Sequence, residues 1–148
     1  MDVQIYQPVR PDLPIVLELL SLQFEEHQIE VSEKALFTAI EAILADERLG
    51  FFLLARLSEQ AVGLACVSFC WTLEHGGRSA WLDELYVLPE YRSRGIGGLL
   101  IKAVLQAAKA QGCAAVDLEV DHEHHRAEQL YQRYGFDPLS RSRWVREL

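Results

Sequence analysis

Two acids stand where acids are rare. Asp83 and Glu84 lie side by side in SAWLDELYVL, an otherwise apolar run of strand length. A carboxylate held in a cleft can take a proton or attract a cation. Neighbours on a strand point to opposite faces, so a regular strand sends only one of the two into a given cleft, and a bulge would shift that alternation. Both acids could equally sit in water on an exposed face. A few residues later comes EYRSRGIGG, Glu90 to Gly98, where two arginines and three glycines crowd nine positions of an acidic chain. It joins a strand to a helix. The first turn of a helix has unpaired N–H groups and the positive end of the dipole, and glycines let an anion come close, with phosphate the natural occupant. The plain alternative is a tight connection with solvated arginines.

Three phosphate-binding patterns compete for this loop. A dinucleotide fingerprint, G-x-G-x-x-G, would need its third glycine at Leu100, and a G-x-x-x-x-G-K-[ST] loop counted from Gly95 also lands on Leu100. The pattern that fits is R-x-x-G-x-G over Arg92, Gly95 and Gly97. Further on, AEQLYQRYGF places Ala127, Leu130, Tyr131 and Tyr134 on one helix face. By spacing alone Tyr131 is a core tyrosine with its hydroxyl at the boundary, and Tyr134 is a packing residue. The stretch DHEHHRAE offers His122, His124 and His125 with Asp121 or Glu123, but the spacing is not H-E-x-x-H and no cysteine is near. It reads as a polar loop, and no metal is expected. His27 and His75 stand alone.

The elements that must position these residues follow from periodicity. VQIYQPV is a short strand ended by RPDLP. Val16, Leu17, Leu19, Leu20 and Phe24 mark a helix from Leu13 to about His27. Ser32 caps a second helix, carried by Leu36, Phe37, Ile40, Ile43 and Leu44 and closed by Gly50. FFLLARL, AVGLACVSFCWTL and SAWLDELYVL, separated by SEQ and EHGGR, form an antiparallel meander. Ile96, Leu99, Leu100, Ala103, Val104 and Ala107 mark a third helix. CAAVDLEV is a strand, HRAEQLYQRYGF a short helix stopped by Gly135, and SRSRWVREL alternates as a last strand would. The order βααβββαβαβ is an α+β fold around one mixed, mostly antiparallel twisted sheet flanked by helices. The chain reads as one domain over residues 1–148.

The totals restrict the classes. The formal net charge of −8 argues against non-specific nucleic-acid binding, which needs a basic surface. No apolar run approaches the roughly 18 residues of a membrane span, and MDVQIYQPVRPD lacks the basic start and apolar run of a signal peptide, so none is expected there. Three cysteines without C-x-x-C read as reduced thiols, with Cys66 and Cys70 as core residues on one strand face. The cytoplasm is the expected compartment.

With both motifs in order on the right elements, the chain resembles the GNAT N-acetyltransferases. LDELYVLPEYRSRGIGGLL looks like their acetyl-CoA-binding segment, and AEQLYQRYGF is similar to their later A-x-x-L-Y-x-x-x-G-F stretch. The resemblance implies that N–H groups of Ser93, Arg94, Gly95, Ile96, Gly97 and Gly98 hold the pyrophosphate of coenzyme A, with charge from Arg92 and Arg94. It implies that Leu85, Tyr86 and Val87 bond the pantetheine arm through the main chain as an added strand would. It also implies a bulge that splays this strand from the one holding Cys113–Val120. An amine must lose its proton to attack a thioester, and members of this family often use an acid on this strand; Glu84 is preferred as base or anchor, with Asp83 close behind. The resemblance makes Tyr131 the donor to the departing thiolate, a phenol whose pKa of about 10 lies above a thiol's. Where the family carries an asparagine that helps hold the cofactor, this chain has His124, which leaves that contact open.

The first two helices of such proteins wall the acceptor site. Here FEEHQIEVSE supplies Glu25, Glu26 and Glu30, with Phe24 to pack on methylenes. Together with the acids at 83 and 84, this suggests a small cationic amine; a solvated helix end is the alternative. The expected function is acetyl transfer from acetyl-CoA to a primary amine by direct attack. A non-catalytic coenzyme A sensor and a protein N-terminal or lysine acetyltransferase stay open beside it. A homodimer through the tail SRSRWVREL is expected by analogy.

Overall fold

The computed structural model describes residues 2–148. The first strand, β1 (Val3–Tyr6), leads through a 3₁₀ turn at Arg10–Asp12 into α1 (Leu13–Glu26), which opens on Pro14. After it, α2 (Glu33–Ala45) begins where the Ser32 hydroxyl accepts from the Ala35 N–H at 3.1 Å. The meander follows as β2 (Gly50–Leu57), β3 (Gln60–Thr72) and β4 (Gly77–Val87). Then come α3 (Ile96–Ala110), β5 (Ala115–Asp117) and α4 (His125–Arg133). The sheet order is β1-β2-β3-β4-β5, with β5 parallel to β4 and the other pairs antiparallel. This is the mixed, mostly antiparallel sheet expected.

Consecutive residues Phe51–Ala55 of β2 and Leu64–Val67 of β3 are all buried. Successive side chains point to opposite faces, so both faces of the sheet must be covered. The covers are α1 and α2, which meet β2, β3 and β4, and α3, which meets β1 through β5. Each helix shows its core to the sheet: Val16, Leu19 and Leu20 from α1, Ile40 from α2, and Ile96, Leu100, Ile101 and Val104 from α3.

Several expectations give way. Gly50 does not close α2, which ends at Ala45; it opens β2, where a Cβ would collide with the Val67 carbonyl. Leu99 and Phe37 are exposed, and Ile101 takes the buried place in α3. Cys66 is buried but Cys70 is exposed, as is its neighbour Trp71 on the other face. That end of the hairpin projects past the helices that cover the sheet. The expected strand over Cys113–Val120 pairs only at Ala115–Asp117. The tail SRSRWVREL is not a strand. Alternation gives a strand only where a free edge accepts it, and β5 is only three residues long. Exposed ion pairs hold the tail instead, Arg141 to Glu74 at 2.8 Å and Arg143 to Glu119 at 2.9 Å.

Candidate active site

The acids of β4 are sorted by a fault in the ladder. Leu82 pairs with Val67 and Glu84 with Cys66, so Asp83 has no partner on β3. One extra residue in β4 is a bulge, and it bends the strand and resets the alternation. Asp83 stays exposed, while Glu84 is half-buried. Burial raises the Glu84 carboxyl from its usual 4.5 to about 7; the negative charges of Asp83 and Glu119 add to the rise, and a hydrogen bond from Gln23 opposes it. A carboxyl near 7 is divided between acid and base at neutral pH, and as a base it is stronger than a solvated glutamate.

Beyond the bulge the sheet splits. Pairing of β4 with β5 ends at Trp81 and Asp117, so Leu82–Val87 has no neighbouring strand on that edge. Tyr131 of α4 reaches this gap. Its ring meets Phe136 edge-on at 5.8 Å between centroids. Burial, and then the charge of Glu84, push its phenol from 10.0 up to about 12. The hydroxyl is therefore a donor at every physiological pH. Burial, and then the charges of Asp83 and Glu84, hold the Cys66 thiol well above its usual range, so it is no nucleophile.

Past the end of β4 lies the glycine loop. Ser93 (φ 64°) and Gly95 (φ 82°) are left-handed, and the first bond of α3 runs from the Leu99 N–H to the Gly95 carbonyl at 3.1 Å. Among the described residues, the N–H groups of Ser93, Arg94, Gly95, Ile96, Gly97 and Gly98 find no acceptor. Left-handed residues among right-handed or extended ones turn successive N–H groups into a concave anion site. The loop also needs glycine for packing. A Cβ on Gly98 would strike the Tyr134 hydroxyl, and one on Gly97 would lie 3.4 Å from Leu130. Thus α4 is seated directly on the start of α3.

Arg92 and Glu26 spend their charges on each other. The Arg92 guanidinium donates to Glu26 Oε2 at 2.8 Å and to the Val87 carbonyl at 2.8 Å, and it lies 5.4 Å from the Tyr86 ring centroid. The hydrogen bond from Arg92 holds the Glu26 carboxyl below its usual value. This bridge ties the end of α1 to the loop. Arg94 is exposed, 5.4 Å from the Tyr91 ring centroid. Of the β4 residues read as a pantetheine rail, Tyr86 is buried, and Leu85 and Val87 are half-buried. At the acceptor end, Phe24 packs on the core while Glu25 and Glu30 are exposed. His124 precedes α4, with its ring 5.5 Å from that of His27. Among the described residues no three His, Cys, Asp or Glu side chains gather as a metal set, and no helix is long and apolar enough to cross a membrane.

Three neighbours of the site escape the sequence reading. Gln23 of α1 reaches Glu84, Glu119 adds its charge there, and Arg126 of α4 donates to the Ser93 hydroxyl. Only Gln23 left a signal. It follows Val16, Leu19 and Leu20 at helical spacing, a polar residue in a buried stripe.

Residues 13–136 match the model of the acetyltransferase (GNAT) family. Among curated proteins, the thialysine N-epsilon-acetyltransferase of Bos taurus is 41% identical over 64 residues, 43% of this chain and 38% of that protein. The mycothiol acetyltransferase of Acidimicrobium ferrooxidans is 37% identical over 106 residues, 66% of this chain and 33% of that one. The chain thus matches well under half the length of these relatives. Among solved structures, the aminoglycoside acetyltransferase AAC(6')-Iy, in complex with the bisubstrate analogue CoA-S-monomethyl-acetylneamine, superposes with a TM-score of 0.85 at 22% identity, covering 100% of this chain and 99% of that one. The family match spans the split sheet, the glycine loop and the helix of Tyr131, and the chain belongs to the GNAT family of acetyltransferases.

Proposed function

We propose that the protein transfers the acetyl group of acetyl-CoA to a primary amine by direct attack. One observation carries this reading: the bulge in β4 leaves Asp83 exposed and Glu84 half-buried beside the unpaired strand edge, close enough to Tyr131 of α4 for its charge to raise the phenol's pKa. Coenzyme A fits the residues present. The six free N–H groups from Ser93 to Gly98 suit its pyrophosphate, with Arg94 and Arg126 as nearby charge, and Arg92 supports the loop from behind. The unpaired edge of Leu85, Tyr86 and Val87 suits an extended, amide-bearing arm. His124 lies exposed at the start of α4, and we keep it as a further contact.

In this reading an ammonium gives its proton to Glu84, with exposed Asp83 as a second anchor. The nitrogen bonds to the acetyl carbon, and the carbon–sulfur bond breaks. Sulfur leaves with the electron pair, and the Tyr131 hydroxyl donates to it. Main-chain N–H groups on the splayed strand stabilise the oxygen as it becomes negative. With a phenol near 12, full proton transfer to a thiolate of pKa about 8.5 is uphill by about 5 kcal/mol. Tyr131 therefore acts first as a hydrogen-bond donor, and the second proton that the nitrogen sheds on becoming an amide completes the thiol through solvent.

The acceptor we propose is a small cationic amine. Asp83, Glu84, Glu25 and Glu30 make that end acidic, Phe24 offers an apolar wall, and Glu26 and Glu119 are already paired with Arg92 and Arg143. A relative named for the Nε-amine of thialysine agrees with a primary amine as acceptor. The test is free-thiol release from acetyl-CoA with a panel of diamines, polyamines, amino sugars and peptides. Turnover is expected on the small amines. Tight acetyl-CoA binding without turnover on any amine would make the protein a binding module, and turnover on peptides alone would make it a protein acetyltransferase.

We also place the protein in the cytoplasm, in keeping with three free thiols. A second copy is the partner we propose for the tail, where Leu139, Trp144 and Val145 are exposed and residues 137–148 form no backbone hydrogen bond among the described residues. Light scattering should give twice the mass of the 148-residue chain, and truncation after Phe136 should give the monomer.

A further inference from the structure

Arg143 belongs to a segment that the fold hardly holds. Residues 137–148 form no backbone hydrogen bond among the described residues, and Trp144 and Val145, next in sequence, are 91% and 81% exposed. Yet the Arg143 guanidinium has two partners at once. It lies 2.9 Å from Glu119 Oε1 and 5.2 Å from the Trp81 ring centroid. Just before it, Arg141 reaches Glu74 in the β3–β4 hairpin at 2.8 Å. Side-chain charges thus lay the tail from that hairpin to the chain after β5.

The strand register shows which face the tail crosses. Gly63 of β3 faces α3, since a Cβ there would lie 3.2 Å from the Leu100 side chain. Cys66, an odd number of residues on, faces the other way, the side covered by α1 and α2. Its partner Glu84 does so too. So does Trp81, because its partner Ser68 lies two residues past Cys66. Without the extra residue Asp83, Trp81 and Glu84 would point oppositely. Trp81 also pairs with Asp117 of β5, two residues before Glu119. The ring, the carboxylate and the base are thus grouped on one side of the sheet, and the Glu119 charge is felt at Glu84.

An aromatic face beside a carboxylate is a seat for an organic cation. An alkylammonium makes the same two contacts as a guanidinium, one with the carboxylate and one with the ring. Here the protein's own cation fills the seat, and the side chains of the ion pair are 60% and 55% exposed. Exposed pairs are weak. A soluble cation anchored at its other end competes well for such a seat, because its second contact is intramolecular.

We infer that Trp81 and Glu119 form a second cation subsite of the acceptor, which takes the far ammonium of a diamine, and that Arg143 fills it as a tethered competitor until the diamine displaces it. The inference rests on the reading of this face as the acceptor side, and it narrows the acceptor to amines with two positive ends. One end lies at Glu84 and loses its proton there. The other stays charged between ring and carboxylate, and no bond is made or broken at the subsite.

The test follows the Arg143 Nε–H and Trp81 indole N–H signals by NMR in the full chain. It uses a series of α,ω-diamines and the matching monoamines, beside steady-state rates with the same amines. A diamine should move both signals together, with Arg143 arriving at the position of a solvated arginine. A monoamine should leave Arg143 in place. Arg143→Ala should tighten diamine binding and lower KM for diamines about fivefold, with monoamines unchanged. Arg143→Lys keeps the cation and should stay within about twofold of the unaltered chain. Glu119→Gln should erase the preference for diamines over monoamines. An Arg143 signal that stays put at saturating diamine would overturn the inference, as would unchanged or weaker diamine binding in Arg143→Ala. Equal tightening for both amine classes would make the tail a steric cover and the subsite false. Displacement without turnover keeps the subsite and removes the acetyl-transfer reading; turnover of diamines without displacement does the reverse. If Glu119→Gln does not fold, the Arg143 variants and the unaltered chain decide.

Discussion

The loop from Ser93 to Gly98 offers an anion six consecutive main-chain N–H groups, whereas the bulge at Asp83 offers a cation one carboxyl whose charge is set by α1, β4 and the chain after β5. The loop needs only local conformation: two left-handed residues and the start of a helix. Glu84 needs the whole fold, because burial and its neighbours move its pKa from 4.5 to about 7. The two regions should therefore fail differently. Damage to the loop weakens donor binding, and damage around the bulge slows the reaction with the donor still bound.

Glu84→Gln should give the largest effect, a fall in kcat/KM of about 10³-fold with acetyl-CoA affinity kept. In the unaltered protein kcat/KM should fall as pH drops through about 7, because the base becomes protonated. A fall in acetyl-CoA affinity of the same size would erase the division between the regions. Tyr131→Phe should lower kcat by about 10²-fold while acetyl-CoA still binds, and a loss under about threefold would remove the donor role of the hydroxyl.

Gly97→Asp tests the other region. The new side chain starts 3.4 Å from Leu130 and puts a negative charge where an anion is to sit. Calorimetry should show acetyl-CoA binding about 10- to 30-fold weaker, and unchanged affinity would sink the loop as the donor anchor. Next comes stability. The folded pKa of Glu84 lies above its ordinary 4.5, so the folded state holds the extra proton between 4.5 and about 7 and loses stability as pH rises through that window. Glu84→Gln should then stabilise the protein more at pH 8 than at pH 5, by about 1–2 kcal/mol in denaturant melts, and a pH-independent difference would contradict the shift. Arg126→Ala, which frees the Ser93 hydroxyl, should weaken acetyl-CoA about three- to fivefold at low salt and less at high salt. Equal losses at both salts would make Arg126 a packing residue.

Much of the frame was legible. The Ser32 cap, the hairpin turns and the position of Gly135 are local signals, and α2, the meander and α4 follow them. The tail misled because alternation shows only that a segment can pair, and the edge of β5 is too short to receive it. Glu26 looked like an acceptor-site acid because Arg92, 66 positions away, is invisible to local reading. Gln23 was visible as an oddity in an apolar stripe, but its partner was not.

By itself the sequence determined the order of elements from β1 to α4 and the turn from Ser93 to Gly98, because left-handed turns, caps and a glycine-rich helix start depend on residues a few positions apart. Tertiary structure alone decided which acid turns inward, since the bulge is a mismatch between β3 and β4 rather than a property of either strand. It alone decided that Arg92 and Glu26 cancel, and that Gln23 and Tyr131 meet around Glu84. A pKa is set by charges and burial within a few ångströms, and those neighbours come from distant parts of the chain.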